Sequence, residues 1–183
     1  MLDSDTLKKF DSSSMCDAYD KWPQLARSAY ESELNAISFD NIDHIILVGM
    51  GGSGAICEVI SAILSKTQIH TSVVKGYHLP NTADANTLVI VVSVSGDTVE
   101  AISVLESALA NSCHIVAFSS GGKLQQICED KKLTHFIISQ VHSPRASFPA
   151  FLYSILNILS GILPTSHSDV VESLDALESL QKQ

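Results

Sequence analysis

Two uninterrupted apolar runs constrain the fold of this chain more than any other feature of its sequence. His44–Val48 has the sequence HIILV, and residues 88–92 have the sequence LVIVV. A strand that does not alternate between apolar and polar residues is buried on both faces, which is typical of a parallel sheet covered by helices. Since each run is followed by a turn and then by a helical pattern, the sequence predicts an α/β protein.

The remaining elements continue the alternation of strands and helices. We expect a helical region over residues 3–35, broken at Pro23, and a loop over residues 77–87. Shorter apolar runs predict strands at residues 71–74, 114–118 and 136–138. Helical periodicity predicts helices at residues 55–64, 99–110, 124–130, 150–163 and 169–180. The expected divisions are an N-terminal helical segment (1–41), an α/β domain (42–164) and an acidic C-terminal helix (165–183).

Length, charge and cysteine content limit the class of protein. The chain has 183 residues and a formal net charge of −9, and 45% of its residues are hydrophobic. This apolar fraction excludes disorder, and an acidic surface repels nucleic acid and anionic membranes. The four cysteines form no CxxC pair and have no metal-like spacing, so we expect reduced thiols in a cytoplasmic protein. The acidic, polar start of the sequence does not resemble a secretory signal.

Residues 146–166 contain no charged side chain and raise the question of a membrane span. Pro149, Asn157 and Gly161 interrupt the stretch. Pro164 ends its apolar part before the ~20 residues that a span needs. We therefore expect a buried helix or a subunit interface here.

Three predicted strands end in loops of small residues. The loops are residues 49–54 (GMGGSG), 93–98 (SVSGDT) and 119–122 (SSGG). In a parallel sheet all three would lie at the carboxyl edge, where open α/β folds bind their ligands. Helix-start N–H groups and hydroxyls can bind a phosphate, although βα turns also use Gly and Ser for packing and capping. Because three such loops occur together, we predict a phosphate site.

The first loop also matches the GxGxxG pattern of dinucleotide-binding proteins through Gly49, Gly51 and Gly54. Such a site needs an acidic residue about 20 positions later, where it binds the ribose hydroxyls. Residues 71–77, where this acidic residue is expected, contain no Asp or Glu, and Lys75 is their only charged residue. A dinucleotide cofactor therefore explains this loop less well than a phosphate does, and it leaves the second loop unexplained.

Arg145 is the candidate for a charged ligand contact. It is the only Lys or Arg between Leu133 and Leu180, and no acidic residue lies between Leu133 and Ser168. Its position near the start of the predicted apolar helix is unfavourable for a cation because of the helix dipole. We expect its guanidinium to face a ligand and to stabilise negative charge there. Pairing with a distant carboxylate, or exposure to solvent, is the alternative.

His142 and Glu100 are weaker candidates, for proton transfer. His142 lies three residues before Arg145, and Glu100 lies in the first turn of the helix after the second loop. A carboxylate at that position also complements the helix dipole. We expect Asp97 to cap the same helix. The residues expected in the core are His44, Cys57 and Cys113.

The motifs GMGGSG (49–54), SVSGDT (93–98), SSGGK (119–123) and SPRA (143–146), in this order, resemble those of sugar isomerase (SIS) domains. The resemblance covers about residues 42–164 and extends more narrowly to the N-terminal half of the bifunctional phosphoglucose/phosphomannose isomerases. It implies a flavodoxin-like three-layer α/β/α sandwich with a five-stranded parallel sheet. It also implies aldose–ketose isomerisation of glucose 6-phosphate or mannose 6-phosphate to fructose 6-phosphate, without a metal or nucleotide cofactor.

The resemblance also implies roles for individual residues. Arg145 corresponds to the family arginine that stabilises the cis-enediolate. Asp97 stands where the family usually has asparagine, and a carboxylate there would repel a phosphate unless it points away. The residues implied for sugar-phosphate binding lie in the first two loops and are Gly51, Gly52, Ser53, Ser93, Ser95 and Thr98.

The resemblance leaves the catalytic base unassigned. In full-length members of the family a Glu, a His and a Lys come from a second SIS domain, and this sequence has no positions that match them. One hypothesis is therefore the hexose-phosphate-binding half of an isomerase, completed by a second SIS domain or by a homodimer in which Glu100 or His142 acts. The alternative is a non-catalytic phosphosugar-binding module that serves as a sensor or partner domain.

Overall fold

The computed structural model of the protein describes residues 9–181, which form a five-stranded sheet with helices on both faces. The strands are β1 (His44–Val48), β2 (His70–Val74), β3 (Thr87–Ser93), β4 (His114–Ser119) and β5 (Thr134–Ile137). The helices that lie wholly within these residues are α1 (Met15–Asp20), α2 (Trp22–Tyr30), α3 (Gly51–Leu64), α4 (Val99–Ala110), α5 (Gly122–Lys131), α6 (Phe148–Ile158) and α7 (His167–Gln181).

All five strands are parallel and follow the order β2-β1-β3-β4-β5. Flavodoxin-like sheets have this order, so the predicted flavodoxin-like fold with a five-stranded parallel sheet is confirmed. β1 pairs with β2 on one side and β3 on the other, and Leu47 lies between Val73 and Ile90. The chain order reverses between β1 and β3, which leaves a crevice above the carboxyl ends of these two strands.

Alternate side chains of the strands enter two separate cores, which makes the molecule a three-layer sandwich. Ile45 and Leu47 of β1 enter a core that also contains residues of α2, α3, α6 and α7. Ile46 and Val48 enter a second core, with residues of α4 and α5. Every residue of β1 and β3 is buried. The uninterrupted apolar runs therefore follow from the cover of helices on both faces of the central strands.

The first loop is shorter than the sequence predicted. α3 begins at Gly51 rather than at residue 55, because Gly51 adopts φ +54° and turns the chain directly from β1 into the helix. Pro23 does not break the N-terminal helical region; it lies in the first turn of α2, where a proline is tolerated. Within the described residues the helical pattern is interrupted at residues 11–14 and at Lys21, and it ends at Tyr30 rather than at residue 35.

The uncharged stretch contains α6, which is buried within the chain. It is shorter than predicted and ends at Ile158, and Phe151 and Ile155 have no exposed surface. α2 packs along it on one side and α3 contacts it on another. Burial within the chain therefore accounts for its apolar sequence, which no longer argues for a subunit interface. None of the helices in residues 9–181 is long and apolar enough to cross a membrane.

The N-terminal and C-terminal helices contact each other beside the first core. Arg27 of α2 binds Glu178 at 2.5 Å and Asp175 at 2.7 Å, both on α7. Exposed ion pairs of this kind contribute little stability, so the contact depends mainly on the buried side chains Ala26 and Leu174. The chain divisions expected at residues 41 and 164 stay predictions.

The loops after β3 and β4 touch each other through their backbones. Gly96 adopts φ +75°, and a Cβ atom built on it would lie 1.8 Å from the carbonyl oxygen of Gly121. Gly122 adopts φ +71°, and its Cβ would lie 2.6 Å from the carbonyl oxygen of Ser95. Only glycine fits both the conformation and the space at these positions.

We predict that Gly96→Ala lowers the free energy of unfolding by at least about 2 kcal/mol. The left-handed conformation alone costs an alanine about 1–2 kcal/mol, and the contact with Gly121 forces the two loops apart. Urea denaturation measures the effect. The matched control is Gly76→Ala, because Gly76 has open space around its Cβ position. Equal stability of the two variants would contradict the contact.

Candidate functional site

The crevice above β1 and β3 contains a pocket of about 540 Å³. Its walls come from the start of α3, from the loop after β3, and from the loop before α6. One further residue, Met15, comes from α1. The lining residues are Met15, Met50, Gly52, Ser53, Val94, Ser95, Thr98, Ser143, Pro144 and Arg145.

The first wall is the opening turn of α3. The first N–H groups of an α-helix have no partner within the helix, and no side chain caps α3. Gly52 and Ser53 of this turn line the pocket, and a Cβ atom on Gly51 or Gly52 would meet nothing within 4 Å. The turn therefore offers an open set of N–H donors at the positive end of a helix dipole, which favours an anion.

The other glycines of the GxGxxG pattern serve packing. A Cβ on Gly49 would lie 2.8 Å from the backbone of Ser53, and a Cβ on Gly54 would lie 2.9 Å from the carbonyl oxygen of Gly49. The start of α3 is therefore pressed against the end of β1. Lys75, at the end of the neighbouring strand, pairs with Glu58 at 2.7 Å.

Ser53 connects the first loop to the second. Its hydroxyl accepts a 3.3 Å hydrogen bond from the backbone N–H of Val94, and the side chain is buried. The two loops on either side of the crevice are therefore fixed relative to each other.

The three hydroxyls of the second loop differ in their position relative to the pocket. Ser93 is buried, and its hydroxyl bonds the Thr98 hydroxyl at 2.9 Å and accepts from the N–H of Gly96 at 3.2 Å. Ser93 does not line the pocket, whereas Ser95 and Thr98 do. Ser93 therefore shapes the loop, and the other two hydroxyls are the ones placed to contact a ligand.

Asp97 caps a different helix from the one that the sequence predicted. Its carboxylate accepts a 3.0 Å hydrogen bond from the N–H of Lys123, in the first turn of α5, and α4 has no side-chain cap. Asp97 does not line the pocket. Its negative charge is thus directed to the neighbouring helix, where the dipole favours it.

The third loop, residues 119–122, does not form part of the pocket. Ser120 donates through both its N–H and its hydroxyl to the carbonyl oxygen of Val94. Ser119 accepts from the N–H of Gly121. The third loop lies at the carboxyl edge of the sheet, as expected, and its hydrogen bonds to Val94 support the second loop on the side away from the pocket.

Arg145 lines the pocket from a turn that is closed by its own hydrogen bonds. The hydroxyl of Ser147 accepts from the N–H of Val141 at 2.8 Å, and the Ser147 N–H donates to the Ser143 carbonyl at 3.1 Å. Within residues 9–181, Arg145 makes no salt bridge, and its side chain is exposed toward the pocket. No distant carboxylate in this part of the chain accounts for its charge.

The two acid–base candidates lie outside the pocket lining. His142 is exposed, and its Nε2 contacts the carbonyl oxygen of Ser13 at 2.5 Å. Glu100 lies in the first turn of α4, as the sequence predicted, but not on the pocket wall. Among the described residues, no carboxylate and no imidazole lines the pocket.

Four further cysteines and histidines, Cys57, Cys113, His44 and His135, are buried or half-buried. Burial raises the pKa of the Cys57 thiol to about 12, which keeps it protonated and unreactive. Burial lowers the pKa of His44 and of His135, and the latter bonds the Ser119 hydroxyl at 2.9 Å. Cys113 is half-buried. None of them lines the pocket.

Sequence reasoning missed several lining residues. Met50 and Val94 lie inside the small-residue motifs but have apolar side chains, so they carried no chemical signal. Ser143 and Pro144 stood beside Arg145 in the SPRA motif and could have been added from that motif. Met15 had no signal, because it reaches the pocket through a tertiary contact.

Comparisons with known proteins identify the family of this chain. The SIS domain family matches residues 38–162. The bifunctional phosphoglucose/phosphomannose isomerase of Caldicellulosiruptor bescii is 30% identical over 172 residues, which are 88% of this chain and 49% of that protein. The enzyme of the same name from Aquifex aeolicus is 33% identical over 142 residues, or 76% of this chain and 44% of that protein.

This chain thus spans about half the length of these relatives. A solved structure, the tagatose-6-phosphate ketose/aldose isomerase from Escherichia coli, has the same fold with a TM-score of 0.58 and 17% identity. The match covers 90% of this chain and 52% of that one. From the family match and the sheet order together, we conclude that the chain belongs to the SIS domain family.

Proposed function

We propose that this chain is the phosphosugar-binding half of an aldose–ketose isomerase site that acts on a hexose 6-phosphate. The observation that carries the proposal is the convergence of three kinds of anion-binding group on one pocket. These are the opening turn of α3, the hydroxyls of Ser95 and Thr98, and the guanidinium of Arg145. The similarity to isomerases of glucose and mannose 6-phosphates supports the choice of ligand.

The phosphate binds where the first two loops meet. N–H groups of Gly51, Gly52 and Ser53 and the hydroxyls of Ser95 and Thr98 act as donors to its oxygens. The sugar phosphate carries its own negative charge, and the pocket lining contains no carboxylate to oppose it. Ser93 acts indirectly, since its hydroxyl fixes the position of Thr98.

Arg145 stabilises the charge that develops during the reaction. In the isomerisation a base removes the C2 proton of the aldose, the electrons move toward the C1 oxygen, and a cis-enediolate forms. The proton is then returned to C1, while the C2 hydroxyl gives up its proton and the C1 oxygen gains one, which yields the ketose. A guanidinium directed into a small pocket lowers the energy of the enediolate more than that of the neutral sugar, which is the condition for catalysis.

The catalytic base of this reaction comes from a residue outside the pocket lining of the described chain. A carboxylate or imidazole is needed for proton transfer near neutral pH, and none lines the pocket in the described part of the chain. Relatives of about twice this length support a second SIS domain as the source. A second copy of this chain in a homodimer is the other source, with His142 or Glu100 as the local candidates.

A non-catalytic phosphosugar-binding module is the second candidate function. The same absence of an acid or base from the described pocket lining favours it. Such a module would use the three anion-binding groups as a sensor or as a partner domain. In either role we propose a cytoplasmic location, which four unpaired cysteines support, because thiols stay reduced there.

We predict that Arg145→Ala weakens fructose 6-phosphate binding by about 10- to 100-fold, the range expected for loss of a charged hydrogen bond. Isothermal titration calorimetry measures the affinity. The control is Lys131→Ala, which removes an exposed cation at the end of α5. Equal affinities for Arg145→Ala and the parent would remove Arg145 from the site.

We predict that Ser95→Ala weakens binding of the same sugar phosphate by about 1–2 kcal/mol. Stability should change little, because the side chain is exposed and the 3.2 Å hydrogen bond that it accepts from the Asp97 N–H is open to solvent. Ser53→Ala should weaken binding and, unlike Ser95→Ala, should also lower the stability, since the buried N–H of Val94 loses its hydrogen-bond partner. Ser65→Ala, at the far end of α3, is the control. Identical titration curves for Ser95→Ala and the parent would reject the phosphate assignment.

A coupled assay distinguishes the isomerase proposal from the binding-module proposal. Fructose 6-phosphate is the substrate, and formation of glucose 6-phosphate is followed in fractions whose mass is known from light scattering. We expect the monomer to bind the sugar phosphate without turnover, and any turnover to appear in the dimer and to disappear in Arg145→Ala. Turnover by the monomer would contradict the need for a second domain or subunit. Binding without turnover in every fraction would favour the module.

A further inference from the structure

The N-terminal helices reach the turn that carries Arg145. The indole N–H of Trp22, the first residue of α2, donates a 2.9 Å hydrogen bond to the carbonyl oxygen of Ala146. Ala146 follows Arg145 directly and has no exposed surface. The bond joins residues 124 positions apart in the chain. This hydrogen bond connects α2 to the pocket wall.

The indole of Trp22 is fixed on two sides. Its ring stacks on Phe148, with centroids 6.3 Å apart and planes at 28°. Tyr19 meets it edge-on at 4.8 Å and 83°. Aromatic pairs with these geometries are favourable and restrict ring rotation. The N–H donor is therefore held in one direction, toward Ala146.

Hydrogen bonds close the turn on both sides of Ala146. The Ser147 hydroxyl bonds the backbone of Val141 and Ser143, and the Phe148 N–H donates to the Arg145 carbonyl at 3.2 Å. A closed turn of this kind transmits a constraint at one residue to its neighbours. Fixing the Ala146 carbonyl therefore fixes the backbone from which the Arg145 side chain projects.

A second contact from the same segment acts on the other end of the turn. His142 adopts φ +57°, and its Nε2 contacts the carbonyl oxygen of Ser13, which lies just before α1. Met15, the first residue of α1, lines the pocket itself. The segment from Ser13 to Trp22 thus contacts both ends of the turn and supplies part of the wall.

We propose that Trp22 is a positioning residue for Arg145. Its N–H orients the turn so that the guanidinium lies in the pocket before a ligand arrives. The proposal rests on the proposed function for the identity of the ligand, but the link between Trp22 and the turn exists without it. Preorganisation of this kind saves the entropy of ordering the turn on binding.

A double-mutant cycle tests the proposal through the affinity for fructose 6-phosphate. Trp22→Phe retains an aromatic ring against Phe148 and removes the N–H. We expect it to weaken binding by about 3- to 10-fold, the scale of one hydrogen bond. In the Arg145→Ala background the same change should alter the affinity by less than about twofold, because the group that it positions is gone.

The control is Tyr153→Phe, which removes one 2.9 Å hydrogen bond between α6 and α7, to Ser173. It should leave the affinity unchanged in both backgrounds. If Trp22→Phe proves unfolded by circular dichroism, Trp22→benzothienylalanine replaces it, since this residue keeps the bicyclic shape without the N–H. An equal loss of affinity in both backgrounds, or no loss in the parent, would overturn the proposal.

Trypsin cleavage after Arg145 tests the link without any sugar. Loss of the Trp22 N–H should free the turn and raise the rate of cleavage at Arg145 several-fold, while Tyr153→Phe leaves it unchanged. An unchanged rate in Trp22→Phe would overturn the positioning role. Another outcome is that the parent binds no sugar phosphate while Trp22→Phe is still cleaved faster than the parent. In that case the proposed function fails, and the link between Trp22 and the turn stands.

Discussion

Pairing of β1 with β3 decides where this protein can bind a ligand. The two strands are neighbours in the sheet although β2 lies between them in the sequence. The helices that follow them therefore start on opposite faces of the sheet and leave a crevice between their N-termini. Every feature of the candidate site depends on that crevice, because it brings together the start of α3, the loop after β3 and the turn before α6.

The loops around the crevice are rigid for reasons that do not involve the ligand. Ser53 bonds Val94 across the crevice, and Gly96 touches Gly121 behind it. These contacts are made from backbone groups and small side chains, so they leave room for a ligand while fixing its donors. A site whose donors are fixed before binding spends less free energy on ordering them. Glycine and serine are thus needed here for packing, whatever the ligand.

The sequence predicted the strands well, because burial on both faces leaves a run such as HIILV without alternation. It predicted the first two loops and Arg145 as site residues, because their chemistry is local. It could not separate pocket-lining residues from packing residues within loops of the same composition, so Ser93 was grouped with Ser95 and Thr98 although its side chain does not line the pocket. Asp97 was assigned to the wrong helix, since its partner Lys123 is 26 residues away and no local pattern marks it.

Contacts between distant parts of the chain could not be predicted either, because no local sequence pattern marks a distant partner. Nothing in the sequence around Trp22 indicates a bond to Ala146, and nothing around Met15 indicates a pocket wall. Secondary structure follows from periodicity over about ten residues, whereas these contacts depend on how α2 packs on α6 and how α1 packs on α2. The N-terminal helical segment therefore acquires its role in the site only from the fold.

The most direct measurement is an NMR titration of the amide groups with fructose 6-phosphate and, separately, with fructose. The account predicts that the amides of Gly51, Gly52, Ser53, Ser95 and Thr98 shift with the phosphorylated sugar and not with fructose. The amides of the third loop should move less, since residues 119–122 do not line the pocket. Shifts centred elsewhere, or equal shifts with both sugars, would contradict a phosphosugar site in this crevice.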